Sequence, residues 1–262
     1  MLQAYIDDCP SNLPPLLPLV HITDVAAART ILGEKMLKTK VCRHYSSLLK
    51  ADEQLLYLSY GRPSYRGRSH EKTTGQALRK PIAFILKPAA FVANVRRVSP
   101  FDSGAYFCGK LEDWIDRDSL PITNFELAGS LESAQKFICR FYSDNRGYFE
   151  LKRKPDLAHM PSQLEITSLL SMIDANGLSM EADDRRLAIE IQTAVSLPLN
   201  KDTVFDIVSP HELEDDPFWQ ALVAGAGGRT VSYGRHAMQG SSTVWDTLLH
   251  SKTLDALEDF IK

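Results

Sequence analysis

The chain has 262 residues, of which 44% are hydrophobic and 24% are charged, and its formal net charge is −3. This mix is typical of a globular protein that folds by burying apolar surface. The slight acidity excludes a protein that binds nucleic acid mainly through an overall basic charge. No run of about 18 apolar residues is present, which excludes a membrane-spanning helix.

The four cysteines stand singly, at Cys9, Cys42, Cys108 and Cys139. Because no CxxC pair is present, they do not match a zinc ribbon or a thioredoxin-like motif. We therefore expect four reduced thiols and no bound metal. The N-terminus carries early acids and no basic segment before an apolar run, so we expect no signal peptide and a cytoplasmic location.

The first half of the chain predicts four strands and one helix. After a proline-rich lead-in at residues 10–18, the run LVHIT predicts a short strand. Asp24 is a good N-cap for the helix that follows, and Gly33 is its predicted end. Apolar or alternating patterns predict three more strands, in QLLYLSYG, PIAFILKP and VANVRRV.

The second half begins with two amphipathic helices, one capped by Ser130 and one ending at Gly177. A strand is then predicted in LAIEIQT, where Leu187, Ile189 and Ile191 alternate with other residues. TVFDIVSP predicts a further strand, and helical segments close the chain. Because the strands are short and the helices are grouped, we predict an α+β fold with a largely antiparallel sheet.

Several common catalytic motifs are missing from the sequence. There is no P-loop and no GxSxG nucleophile elbow, and HELED at His211 is not the HExxH motif of zinc proteases. The glycine-rich run at residues 224–230 follows a predicted helix rather than a strand, so it is a poor dinucleotide-binding fingerprint. The candidate chemistry must therefore come from residues that are dispersed along the chain.

Three features carry candidate chemistry. His21 lies at the end of the first predicted strand, and Glu190 is an acid on a late predicted strand with apolar neighbours. Between them, LLYLSYGRPSYR predicts a strand that continues into a basic loop. Each feature also has a structural explanation, as a hydrogen-bonded histidine, an exposed acid on a sheet face, and a turn fixed by Pro63.

In this order, the three features resemble the ADP-ribosyltransferase superfamily, in particular the DarT-like bacterial toxins. In that family a histidine ends the first strand, as in LVHITDVAAARTIL, and an aromatic or arginine-bearing segment follows on the second strand. A catalytic glutamate lies on a late strand, as in LAIEIQTAVSLPL. The resemblance is patchy and spans about residues 18–210.

The resemblance implies a split, largely antiparallel β core with flanking helices, in which NAD lies in a cleft between two small sheets. Residues 1–210 would form this ADP-ribosyltransferase-like domain, and residues 211–262 would form a C-terminal helical extension packed on it. The implied activity is transfer of ADP-ribose from NAD, used as a substrate, without a metal. Glu190 would be catalytic, stabilising the oxocarbenium-like centre that forms as the nicotinamide–ribose bond breaks.

The implied cofactor-binding residues lie near the first two long strands. The histidine would hold the adenosine ribose, and a tyrosine ring would stack on the nicotinamide. An arginine would bind the pyrophosphate through two parallel hydrogen bonds, which lysine cannot reproduce. The residues assigned to NAD are His21, Thr23, Tyr60, Arg62, Tyr65 and Arg66.

The acceptor is left open by the sequence. The basic loop at residues 61–80 could hold a nucleic-acid strand by phosphate contacts and stacking, or it could close over the NAD pyrophosphate. We expect a toxin or defence effector that modifies nucleic acid, with a protein acceptor as the other option. An antitoxin or regulatory protein is a further expected partner, and a membrane is not. The alternatives are an NAD glycohydrolase and a non-catalytic interaction module with a degenerate version of the fold.

Overall fold

The computed structural model describes residues 1–9, 12–41, 53–64, 77–175, 184–234 and 242–261. The strands are β1 (Leu19–Asp24), β2 (Met36–Leu37), β3 (Lys40–Val41), β4 (Gln54–Tyr60), β5 (Pro81–Leu86), β6 (Val95–Ser99), β7 (Glu190–Thr193), β8 (Leu197–Pro198), β9 (Val204–Pro210) and β10 (Arg229–Tyr233). The α-helices are α1 (Leu2–Asp7), α2 (Val25–Glu34), α3 (Ser103–Phe107), α4 (Leu131–Phe141), α5 (Asn145–Phe149), α6 (Leu164–Asp174), α7 (Pro217–Gly225) and α8 (Ser242–Leu257). Single turns of 3-10 helix lie at Ala77–Arg79, Pro88–Ala90, Ile122–Asn124, Asp184–Leu187, His211–Leu213 and Glu258–Phe260.

Most of the described strands form one sheet, in the order β10–β9–β5–β1–β4–β7–β6, and β3 also pairs with β4. The β9–β10 pair is parallel, and the other pairs along this order are antiparallel. The predicted α+β class with a largely antiparallel sheet is therefore confirmed. β10 lies in the C-terminal region for which the sequence predicts only helices, so this region also contributes an edge strand to the sheet.

The sheet divides between β1 and β4. These strands are joined by only two residue pairs, which involve Leu19 and Val20 on β1. Beyond Val20, β1 stays paired with β5, whereas β4 stays paired with β7 back to Leu56. The gap that opens between the two strands, after Val20 on β1 and before Ser59 on β4, is called the fork below.

The two faces of the sheet pack against different helices. Leu58 and Ile191 point into the larger core, to which α1, α2, α4, α6 and α7 contribute apolar side chains. Ile85 and Val208 point to the opposite face, where α8 covers them with side chains that include Trp245. α8 packs on the β5, β9 and β10 part of this second face. The β4–β7–β6 part of the same face carries the polar side chains that are described below.

The helix caps follow the sequence closely. Asp24 accepts a hydrogen bond from the backbone of Ala27 and thereby starts α2, and Ser130 caps α4 in the same way. α2 continues one residue past Gly33 and is closed by Lys35 in a left-handed conformation. None of the helices within the described ranges is long and apolar enough to cross a membrane.

The prediction of four reduced thiols is wrong. Cys9, which follows α1, forms a disulfide with Cys139 on α4, across 130 residues of sequence. Cys108 is a free, exposed thiol, and Cys42 lies outside the described residues. Because the two bonded cysteines carry no short spacing motif, only the packing of α1 against α4 reveals the pair.

Candidate functional site

Cross-strand pairing places six side chains on one face of the sheet. Residues directly opposite each other on paired strands project to the same side, as do residues two apart on one strand. Glu190 and Gln192 on β7 are each flanked by a partner on β4 and a partner on β6. The resulting polar patch consists of the row Ser59, Glu190 and Ser99 and the row Tyr57, Gln192 and Arg97.

The Glu190 carboxylate is buried, with 7% of the residue exposed, and three donors fix it. Its Oε1 accepts from the Ser103 hydroxyl at 2.7 Å and from the Gln192 amide at 2.6 Å, and its Oε2 accepts from the Ser103 backbone at 3.2 Å. Burial, and after it the nearby Asp102 charge, raise the pKa of Glu190 to about 8 against the lowering effect of the hydrogen bonds from Gln192 and Ser103. This carboxyl therefore exchanges its proton near neutral pH.

Ser103 reaches Glu190 because a short helix begins beside the patch. Asp102 caps α3 by accepting a hydrogen bond from the Ala105 backbone at 2.8 Å, which makes Ser103 the first helical residue. Phe101 is fully buried and packs edge-on against Phe125 in the larger core, so the turn before the helix is anchored. The free backbone N–H of the first helical turn then donates to the carboxylate.

His21 lies at the fork. Its Nδ1 is 3.1 Å from the backbone oxygen of Tyr57 on β4, at a place where β1 no longer pairs with that strand. A carbonyl oxygen only accepts hydrogen bonds, so Nδ1 carries the proton and donates, which leaves Nε2 as an acceptor. Burial lowers the pKa of His21 to about 4, so the ring is neutral at pH 7.

The alternation of β1 directs His21 to the same side as Leu19, opposite to Val20 and hence opposite to the polar patch. Tyr57 links the histidine to the polar patch at the fork. The half-buried side chain of Tyr57 belongs to the patch, whereas its backbone oxygen binds the histidine. His21 therefore lies on the opposite face of the sheet from Glu190, and Tyr57 is the residue that connects the two.

Two of the residues predicted to bind NAD make hydrogen bonds within the protein. Tyr60 is 0% exposed, points into the larger core, and accepts a hydrogen bond from the Leu17 backbone through its hydroxyl. Arg62 donates to the backbone oxygens of Tyr148 and Phe149, at 3.3 and 3.1 Å. Tyr60 lies on the opposite face of the sheet from the polar patch; the assignment of Tyr60 and Arg62 to NAD stays a prediction.

The remaining predicted residues give less information. Thr23 is half-buried near the end of β1, two residues beyond His21. Tyr65 and Arg66 lie outside the described residues. The basic loop at 61–80 is therefore described only at its two ends, residues 61–64 and 77–80.

Several residues of the patch were not predicted. Ser99 has a buried hydroxyl without a hydrogen-bond partner among the described residues, and Ser59 shares a hydrogen bond of 2.8 Å with Ser64. In the sequence, the alternation of LLYLSY places Tyr57 and Ser59 together on one face and Tyr60 on the other, a signal that was available. No pattern in the sequence links Ser103 to Glu190, which is 87 residues away.

The arrangement suits three chemical tasks. A buried, fixed carboxylate stabilises a cation in a low-dielectric site, and its raised pKa allows it to accept a proton near pH 7. A neutral histidine with an accepting Nε2 binds a hydroxyl. Among the described residues no group of three or more His, Cys, Asp or Glu side chains is placed to hold a metal ion.

Comparisons of the chain with protein-family models, with curated proteins and with solved structures gave no match. No relative therefore supplies a function for these residues. The functional interpretation depends on the geometry of the polar patch and the fork.

Proposed function

We propose that the protein is an NAD-dependent ADP-ribosyltransferase in which Glu190 is the catalytic carboxylate. The observation that carries this proposal is the buried Glu190 carboxyl, fixed by Ser103 and Gln192 beside the fork where His21 lies. Burying an acid against its preference for water costs stability, and strongly perturbed carboxyls of this kind cluster at functional sites. A purely structural role would be filled at lower cost by a glutamine.

The chemistry of NAD cleavage matches what this carboxyl offers. When the nicotinamide–ribose bond breaks, nicotinamide leaves with the bonding electron pair, and positive charge develops on the ribose carbon. The free site holds a proton on Glu190 at pH 7, and the cationic nicotinamide of bound NAD would displace that proton to solvent. The resulting carboxylate, held beside the ribose carbon, stabilises the charge because the site is dry and the group is already oriented. The acceptor then adds to the carbon, and Glu190 takes up the proton that the acceptor loses.

Other residues around the fork fit the rest of the substrate. The Nε2 acceptor of neutral His21 suits a ribose hydroxyl. Tyr57 replaces Tyr60 as the ring that would stack on the nicotinamide, because its side chain shares the face of Glu190. The unpartnered buried hydroxyl of Ser99 supplies a further polar contact. A nucleic acid or a protein would be the acceptor, and a role as a toxin or defence effector belongs to the same proposal.

The test is incubation with NAD labelled in its ADP-ribose moiety, together with DNA, RNA and a protein mixture. We expect nicotinamide release and label on one macromolecular fraction. Glu190→Gln should lower the rate on the order of a hundredfold. Glu150→Gln, which changes an exposed acid paired with Arg146, is the matched control and should not alter it.

Each outcome of this experiment is decisive. Nicotinamide release without labelled macromolecule would identify a hydrolase that passes the ribose to water. A wild-type protein that releases no nicotinamide, with every acceptor present, would refute the enzymatic proposal. Equal rates for wild type and a folded Glu190→Gln variant would remove Glu190 from the mechanism.

A further inference from the structure

A chain of hydrogen bonds runs from the edge of the sheet to the buried acid. Arg97 on β6 donates through Nη1 to the Gln192 side-chain oxygen at 3.4 Å, and Gln192 donates through Nε2 to Glu190 at 2.6 Å. The guanidinium is itself held by two acids, by Glu53 at 3.1 Å and by Glu126 at 2.8 Å. Arg97 thus has a fixed orientation, with one N–H directed at Gln192.

The arginine decides which end of the Gln192 amide faces the acid. The oxygen and nitrogen ends of an amide have nearly the same shape, so Gln192 fits its site in two orientations. A guanidinium has donors only, and it therefore requires the amide oxygen on its own side. We propose that Arg97 is a positioning residue, which orients Gln192 so that its NH2 group donates to Glu190.

The orientation of Gln192 matters because the two ends of its amide group favour different protonation states of Glu190. An NH2 group donates to an ionised carboxylate, whereas an amide oxygen would accept a hydrogen bond from a protonated carboxyl. The titratable groups that face Glu190 are Asp102 before α3, Tyr57 on β4 and, beyond Gln192, Arg97 on β6. Asp102 and burial favour the protonated form, so the Gln192 donor opposes them.

The catalytic consequence rests on the proposed function, but the orientation itself does not, and it is tested without NAD. The probe is the titration of the Glu190 carboxyl carbon by NMR in protein labelled at the glutamate side chains, assigned with Glu190→Gln. Arg97→Met removes the donor to Gln192. We expect the Glu190 midpoint to move to higher pH by about one to two units, the equivalent of one hydrogen bond to a charged group.

The chain offers a matched control. The neighbouring Arg96 also binds Glu53, at 2.8 Å, but it makes no contact with Gln192, so Arg96→Met should leave the midpoint unchanged. A double-mutant cycle gives the second check. In a Gln192→Met background the hydrogen-bond chain from Arg97 to Glu190 is already absent, and adding Arg97→Met should cause no further shift of the Glu190 midpoint. Arg97→Lys keeps a donor on a shorter stem and should restore part of the wild-type midpoint.

Three results would overturn the proposal. They are an unchanged midpoint in Arg97→Met, an equal shift in Arg96→Met, and a shift from Arg97→Met that persists without Gln192. If the protein cleaves NAD, the acidic limb of its pH–rate profile should move with the NMR midpoint in each variant. If it does not cleave NAD, the NMR titration still decides the role of Arg97, so the failures of the two proposals are distinguishable.

Discussion

Replacing Glu190 by glutamine should stabilise the protein at neutral and alkaline pH and not at acidic pH. The ordinary pKa of a glutamate side chain is 4.5, and burial raises the pKa of Glu190 to about 8. Between these values the folded protein binds a proton that the unfolded chain does not. The stability linked to this group is therefore fully present below pH 4.5 and is lost as the pH rises to 8.

The size of the effect follows from the same two values. Each pH unit within the window changes the free energy of unfolding by about 1.4 kcal/mol. At pH 7 the loss is about 3 kcal/mol, and at pH 8 and above it approaches about 5 kcal/mol, both as upper values. Glutamine avoids this loss, but its NH2 group faces the Ser103 backbone N–H that now donates to Glu190. That mismatch costs about 1 kcal/mol or more.

The assay is urea unfolding of wild type and Glu190→Gln at several pH values from 5 to 9. The wild type should be the more stable of the two at pH 5, and the variant should be the more stable by about 2 kcal/mol or more at pH 8. Glu150→Gln, which removes an exposed ion pair to Arg146, should change stability by only a few tenths of a kcal/mol at every pH, about the value of a surface pair. A difference between wild type and Glu190→Gln that is constant from pH 5 to 8 would refute the assignment of a buried, proton-exchanging carboxyl.

Three other predictions follow from the described contacts. Because burial lowers the pKa of His21 to about 4, the stability that its neutral ring contributes is present above pH 6.5 and is lost as the pH falls. His21→Asn keeps a donor for the Tyr57 oxygen, and its melting temperature should therefore change less between pH 7 and pH 5 than that of wild type. An equal change in both proteins would contradict this prediction. Reduction of the Cys9–Cys139 disulfide, which closes a loop of 130 residues, should cost up to about 4 to 5 kcal/mol of stability, measured by thermal melts with and without reductant, while a Cys9→Ser/Cys139→Ser variant should be insensitive to the reductant. If NAD binds beside Glu190, its cationic nicotinamide ring should favour the ionised carboxylate, so that binding at pH 7 releases a proton. Calorimetry in buffers of different ionisation enthalpy should detect this release with wild type and none with Glu190→Gln.

Local sequence patterns were sufficient for much of the fold. Alternation predicted β6 and β7, a continuous apolar run predicted β5, and capping residues such as Asp24 and Ser130 predicted the starts of α2 and α4. The strand β10 was missed because it follows a glycine-rich turn in a region for which the sequence predicts only helices. The disulfide was missed because its cysteines come together only through helix packing.

The candidate site was predictable only in part. Glu190 was recognisable as an acid among apolar residues on a late strand. Its partners were not, because Ser103 and Arg97 come from segments 87 residues or more away, and only strand pairing and the start of α3 bring them together. The choice between Tyr57 and Tyr60 depends on which face of β4 is buried in the core. One tyrosine of the pair must point each way, and the sequence alone does not show which face carries the site.

The backbone of Tyr60 is bonded to the strand that carries the acid. The backbone N–H of Tyr60 donates to the oxygen of Ile189 at 2.8 Å, and the hydroxyl of Tyr148 bridges the two strands by donating to Tyr60 and accepting from the Ile189 N–H, both at 3.1 Å. These bonds fix the register of β7 immediately before Glu190. Since side chains alternate, a slip of one residue would turn Glu190 into the apolar core and place Ile191 in the polar patch. The backbone of Tyr60 therefore supports the position of Glu190 through the register of the sheet, and Tyr57 is the tyrosine of β4 that shares the face of the acid.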